Sequence, residues 1–116
     1  MESRYLHNGG DFAAQMLKKA RAEVTGPNLE HLLNYHKHLQ IAGRDPRTLA
    51  RQLRELRFIL KTHGKKDMKL AGDAEIKELI LAITRSNMAA ISKRKHLLTL
   101  RVFVSFLLFI NRLSTL

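Results

Sequence analysis

Apolar positions recur at helical spacing along most of the chain, and the pattern is sharpest between Gly43 and Gly64, in GRDPRTLARQLRELRFILKTHG. Leu49, Leu53, Leu56 and Leu60 follow one another at spacings of four, three and four, which is one face of a helix of period 3.6. Arg47, Arg51, Arg54 and Lys61 lie on the opposite face, with Arg57 at its border. Asp45 is placed to cap this helix, Pro46 suits its first position and Gly64 its end. One side of such a helix is buried, and the other meets water or a polyanion.

The remaining pattern predicts further helices. Residues 1–10 are polar, with Asn8-Gly9-Gly10 as a breaker, and are expected to be loose. Asp11 is the cap expected for a helix to about Val24, with Phe12, Met16, Ala20 and Val24 as its stripe. Gly26-Pro27 ends it. Asn28 is the expected cap of the next helix, supported to Ala42 by Leu29, Leu32, Leu33, His36, Leu39, Ile41 and, less well placed, Tyr35. Residues 65–72 read as a loop anchored by Met68 and Leu70. Asp73 is expected to cap a helix that buries Ile76, Leu79, Ile80 and Ile83. Arg85-Ser86-Asn87 breaks it. The last helix runs from Met88 or Ala89 to about Arg112, with Leu97, Leu100, Val104 and Leu107 facing the core. Leu98, Val102, Phe106 and Phe109 form a second strip on roughly the other side. A helix apolar on two sides needs cover on both, supplied by the N-terminal helix, another domain or another subunit. No strand alternation or internal repeat appears. The fold class is all-α, with four or five helices and short connections.

Composition adds a partner class. Among 116 residues, 21 Lys+Arg face 10 Asp+Glu, a formal charge of +11, which points to nucleic acid or an acidic surface. There is no cysteine, hence no disulfide framework, cysteine zinc finger or thiol nucleophile. No signal-peptide core is present, and the apolar run from Val102 to Ile110 is too short to span a bilayer. The expected location is cytoplasmic, with no membrane partner assigned; charge alone does not choose between the two classes of anionic partner.

Catalytic chemistry finds no foothold. His36 and His38 sit about 200° apart on a helix and cannot chelate one ion from it. No HExxH, phosphate loop or nucleophile elbow occurs, and the acidic residues are dispersed. No catalytic residue, metal or cofactor is assigned, and the chain is not expected to be an enzyme. The basic surface remains. Any single arginine reads most simply as solvated, but Arg47, Arg51 and Arg54 repeat on one face, and Lys93-Arg94-Lys95 forms a block on another helix. Two elements can then grip one phosphate backbone. Phe58 projects from the arginine face by helical phase, as a contact to a base or partner or as domain packing.

The order NLEHLLNYHKHLQIAGRDPRTLARQLRELRFILKTHGKKD, DAEIKELILAI and LLTLRVFVSFLLF resembles the N-terminal core-binding (SAM-like) domain of tyrosine recombinases and phage integrases. Gly43, Thr48, Leu49, Leu56, Leu97, Leu100, Arg101, Phe103, Phe106 and Leu107 match that family's pattern, over about residues 28–110. Asp45 stands where the family often has Ser, Gln52 replaces a frequent aromatic, and Ile91 replaces a frequent Thr. The family's catalytic domain, with its nucleophilic Tyr, is not in this chain.

The resemblance implies a four-helix SAM-like orthogonal bundle with an additional N-terminal helix, forming half of a clamp around duplex DNA. It divides the chain into a tail and N-terminal helix (1–27), a core-binding domain (28–112) and a C-terminal tail (113–116). Its DNA-facing helices would carry Arg44, Arg47, Thr48, Arg51, Arg54, Lys93, Arg94 and Lys95. The implied partners are duplex DNA and a catalytic recombinase domain or neighbouring protomers. The alternative is a helical interaction module that docks a partner through Leu98, Val102, Phe106 and Phe109.

Overall fold

Prolines open two of the helices and glycines close the turns before or after them. The computed structural model describes residues 2–115, with side chains for 12–110 and 112. Five helices follow in order: α1 (Glu2–Glu23), α2 (Pro27–Ile41), α3 (Pro46–His63), α4 (Asp73–Thr84) and α5 (Ala90–Thr115). A single 3₁₀ turn, Met68–Leu70, lies between α3 and α4, and no strand occurs among the described residues. The all-α expectation holds.

Helix α3 is the hub, in contact with each of the other four helices. Leu49, Leu53, Leu56 and Leu60 are buried as their spacing requires, and Ile59 joins them. Around them pack Leu32, Tyr35 and Leu39 of α2, Leu79 and Ile83 of α4, and Leu100, Phe103 and Leu107 of α5. Tyr35 stacks edge-on against Phe103 and Phe106, with ring centroids 5.4 and 5.3 Å away. Such edge-to-face pairs add to the area the rings bury. Its phase on α2 made Tyr35 a marginal core candidate, yet it is among the most buried side chains.

Several boundaries and faces differ from expectation. Helix α1 passes straight through Asn8-Gly9-Gly10, so Asp11 lies inside a helix rather than at its start. Glycine weakens a helix by only about 1 kcal/mol per residue, which flanking turns can offset. Helix α1 packs along α3, with Ala20 and Val24 buried, while Phe12 of its expected stripe is exposed. An ion pair from Arg57 to Glu23, 3.4 Å, joins its end to α3. At the other terminus α5 continues to Thr115, through most of the expected tail. Asp73 begins α4 without capping it; Gly72 holds the cap position and no side chain bonds there. Ile41, Leu70 and Ile80 are exposed rather than buried.

Asn28 is the largest correction. Gly26 occupies the cap position of α2, with no side-chain cap, and Asn28 turns inward, fully buried. Its amide nitrogen donates to the carbonyls of Gly64 (3.1 Å) and Lys66 (2.7 Å), and its oxygen accepts from Met68 N–H (2.8 Å). One side chain thus satisfies three polar groups of the loop between α3 and α4. Gly64 (φ +91°) makes the turn that presents its carbonyl. Beside it Asp67 accepts from His31 Nε2 at 2.7 Å and from Lys69 N–H at 2.9 Å. Burial pushes the Asp67 carboxyl up, but these hydrogen bonds and the nearby cations outweigh it and hold it below the usual range.

Candidate nucleic-acid interface

The arginine-bearing helix starts as its sequence predicts. Gly43 (φ +78°) turns the chain out of α2. Asp45 then accepts from Thr48 N–H at 3.0 Å and from the Thr48 hydroxyl at 3.1 Å. The Thr48 N–H, then its hydroxyl, hold the Asp45 carboxyl below its ordinary 3.8. A lowered folded-state value means that the stabilisation is complete above pH 3.8 and is lost as pH falls through the folded value. Asp45→Asn keeps an acceptor that does not titrate. Melting curves between about pH 2 and 6 should therefore show a smaller acid-induced loss for this variant than for the wild type; parallel losses would overturn the assignment.

The arginines of α3 are not equivalent. Arg47 and Arg54 are exposed, as is Lys61 on the same face. Arg51 is half-buried, and its Nη1 donates to both oxygens of Glu55, at 3.0 and 3.2 Å. Glu55 is itself buried, and its Oε1 also accepts the hydroxyl of Thr99 on α5, at 2.6 Å. A carboxylate removed from water needs such partners. Glu55 and Thr99 were missed in the sequence; the Arg51–Glu55 spacing of four was the available signal. Gln52, where the resembled family favours an aromatic, accepts the Tyr35 hydroxyl at 2.7 Å. Burial pushes that phenol up to about 12, with Arg44 and Arg51 opposing and Glu55 reinforcing.

The basic block on α5 divides in the same way. Lys93 donates from Nζ to the carbonyl of Thr84, 2.8 Å away, at the C-terminal end of α4, where a cation is favoured. Arg94 and Lys95 are exposed. His96 is buried; its Nδ1 donates to Ser92 O at 2.8 Å, and its ring meets Phe58 edge-on with centroids 5.5 Å apart. Phe58 is partly buried and packs within the domain, as one of its two expected roles requires.

These contacts bring the two basic helices together. Glu55–Thr99 and Phe58–His96 join α3 to α5, at the turns next to Arg54 and Lys95. Arg44 stands elsewhere, exposed on the lip of a groove between α2 and α5. Thr48 is half-buried, with its hydroxyl turned to Asp45. Of the second apolar strip, Leu98, Val102 and Phe109 are exposed, while Phe106 packs partly against Tyr35 and His38. No group of three or more His, Asp or Glu stands in metal-binding range among the described residues. Comparison with protein-family models, with curated proteins and with solved structures found no match. Among the described residues no helix is long and apolar enough to cross a membrane.

Proposed function

We propose that the chain is a non-catalytic module that binds duplex DNA on behalf of a site-specific recombinase or integrase, positioning it for strand exchange by a catalytic domain outside this sequence. The carrying observation is the junction of α3 and α5, where Arg54 and the Arg94-Lys95 pair sit on helices clamped together by Glu55–Thr99 and Phe58–His96. Cations on a rigid frame lose less conformational freedom on binding phosphate than cations on loops. Arg51 and Lys93 then act mainly as internal braces. Arg54, Arg94 and Lys95 are the phosphate contacts at this junction, and Arg44 and Arg47, exposed at the start of α3 and away from it, extend the contact along the duplex.

Neutralising about five phosphates gives log K against log salt a slope of roughly −4 to −5. Fluorescence anisotropy with a labelled duplex measures it. Arg54→Ala or Lys95→Ala should make the slope shallower by about 1 and weaken binding to all duplexes alike. Affinity indifferent to salt overturns the clamp. The coding sequence after Leu116 tests the recombinase part: a downstream catalytic domain is expected, and an unrelated domain there would remove it.

A second reading is favoured by one observation: Leu98, Val102 and Phe109 remain exposed because α1 packs on α3 instead of covering them. Under this reading the outer face of α5 docks a partner.

A further inference from the structure

The outer face of α5 carries more than scattered apolar side chains. Ile91, Leu98, Val102 and Phe109 are exposed and advance by seven, four and seven residues. At 100° per residue they stay within about 40° of one line, over about 27 Å of helix. Arg94 and Arg101, also exposed and seven residues apart, run along one edge of that line. Lys95 flanks the other edge near its start. No acidic residue occurs anywhere after Glu78.

Toward its C-terminal half the line opens into a groove of about 410 Å³ against α2. Val102, Phe106 and Phe109 form one wall, and Tyr35, His38 and Leu39 the other, with Arg44 at the lip. The two walls are in contact: Phe106 packs against both Tyr35 and His38, with ring centroids 5.3 and 5.1 Å away.

We propose that this face docks an acidic amphipathic α-helix of a partner protein, whose apolar side chains follow the line and enter the groove while its Asp and Glu meet Arg94, Arg101 and Arg44. The inference rests on the second reading above and adds the chemistry of the partner. Heptad-like spacing on one exposed helix is the pattern a second helix matches. The charged edge selects the sign of that helix. A second copy of this chain fits poorly, because at +11 it would set like-charged rows against each other. A bilayer surface offers no side chains to fill a concave, aromatic-walled groove.

The test selects from a display library of helical peptides, randomised on their surface, against the full chain with excess polyglutamate to suppress non-specific charge binding. Recovered peptides are expected to carry apolar residues at spacings of seven and four, flanked by Asp and Glu. By anisotropy, Val102→Glu and Phe109→Glu should weaken them at least about 10-fold, and Arg101→Glu about 5-fold. Arg54→Ala should leave them unchanged. Circular dichroism checks that each variant is folded; the altered side chains are exposed, and Leu98→Gln is a milder second probe of the same face. Peptides that bind this face but are neutral or lysine-rich overturn the acidic partner while leaving a docking surface. Failure to recover any peptide sensitive to Val102→Glu or Phe109→Glu overturns both. Two further results also overturn it: binding of phosphatidylserine vesicles lost in Phe109→Glu, or dimers in sedimentation lost in Val102→Glu.

Discussion

Asn28→Ala should lower the melting temperature by about 12 °C, the result of losing about 3 kcal/mol from a domain of this size. The truncation leaves the carbonyls of Gly64 and Lys66 and the N–H of Met68 without their partner. Asn28 is fully buried and Met68 nearly so, so water cannot reach the Met68 N–H without opening the loop. The loss should be accompanied by faster hydrogen exchange at the Met68 amide. Asn28→Asp is the informative control. An ionised carboxylate can still accept from Met68, but it cannot donate to the two carbonyls and sets negative charge against them. That variant should be unstable at neutral pH and recover partly in acid, where the protonated carboxyl regains a donor. A shift smaller than about 3 °C for Asn28→Ala would mean that the loop holds without its staple.

The second large effect belongs to Glu55. Glu55→Ala is expected to cost about 3 kcal/mol, because it abandons a buried hydroxyl and a half-buried guanidinium together. The figure lies at the low end for broken buried pairs, since Arg51 retains contact with water. Arg51→Ala alone should cost less than Glu55→Ala, and Thr99→Val less again. A double-mutant cycle on Glu55 and Thr99, read by urea unfolding, should give a coupling near 1 to 2 kcal/mol. Additive losses in that cycle would show that the bond between α3 and α5 contributes nothing of its own. The same variants bear on DNA binding. If the proposed grip depends on α3 and α5 being held together, Thr99→Val should weaken duplex binding although Thr99 is buried.

The helices themselves were largely legible. The leucines of α3 repeat at helical spacing and are buried because one face of an amphipathic helix has nowhere else to go. Asp45 and Pro46 could be read as a start because capping is settled within four residues. Asn28 and Asp45 are both short polar residues beside a proline at a helix start, but Asp45 precedes Pro46 and caps, whereas Asn28 follows Pro27 and lies inside α2. That local order denies Asn28 the cap; its actual partners come from a loop 36 to 40 residues away. The basic residues divide for the same reason. Arg51 and Arg54 both lie on the polar side of α3, but only Arg51 has an acid one turn along that the fold buries. Lys93 and Arg94 are neighbours, but only Lys93 meets the end of α4.

From its own pattern the chain specifies an all-α architecture, the faces of its central helix, the cap at Asp45 and an excess of positive charge. These follow from period, capping and composition, which act over a few residues or over the whole chain at once. Packing decides the rest. It turns Asn28 into a loop staple, makes Glu55 and Thr99 the bond between two helices, and draws His96 and Phe58 inside. It also sends α1 to α3, and so leaves the strip of α5 open. Each of these is a choice between partners distant in sequence, and burial and hydrogen-bond satisfaction make that choice only once the helices are placed beside one another.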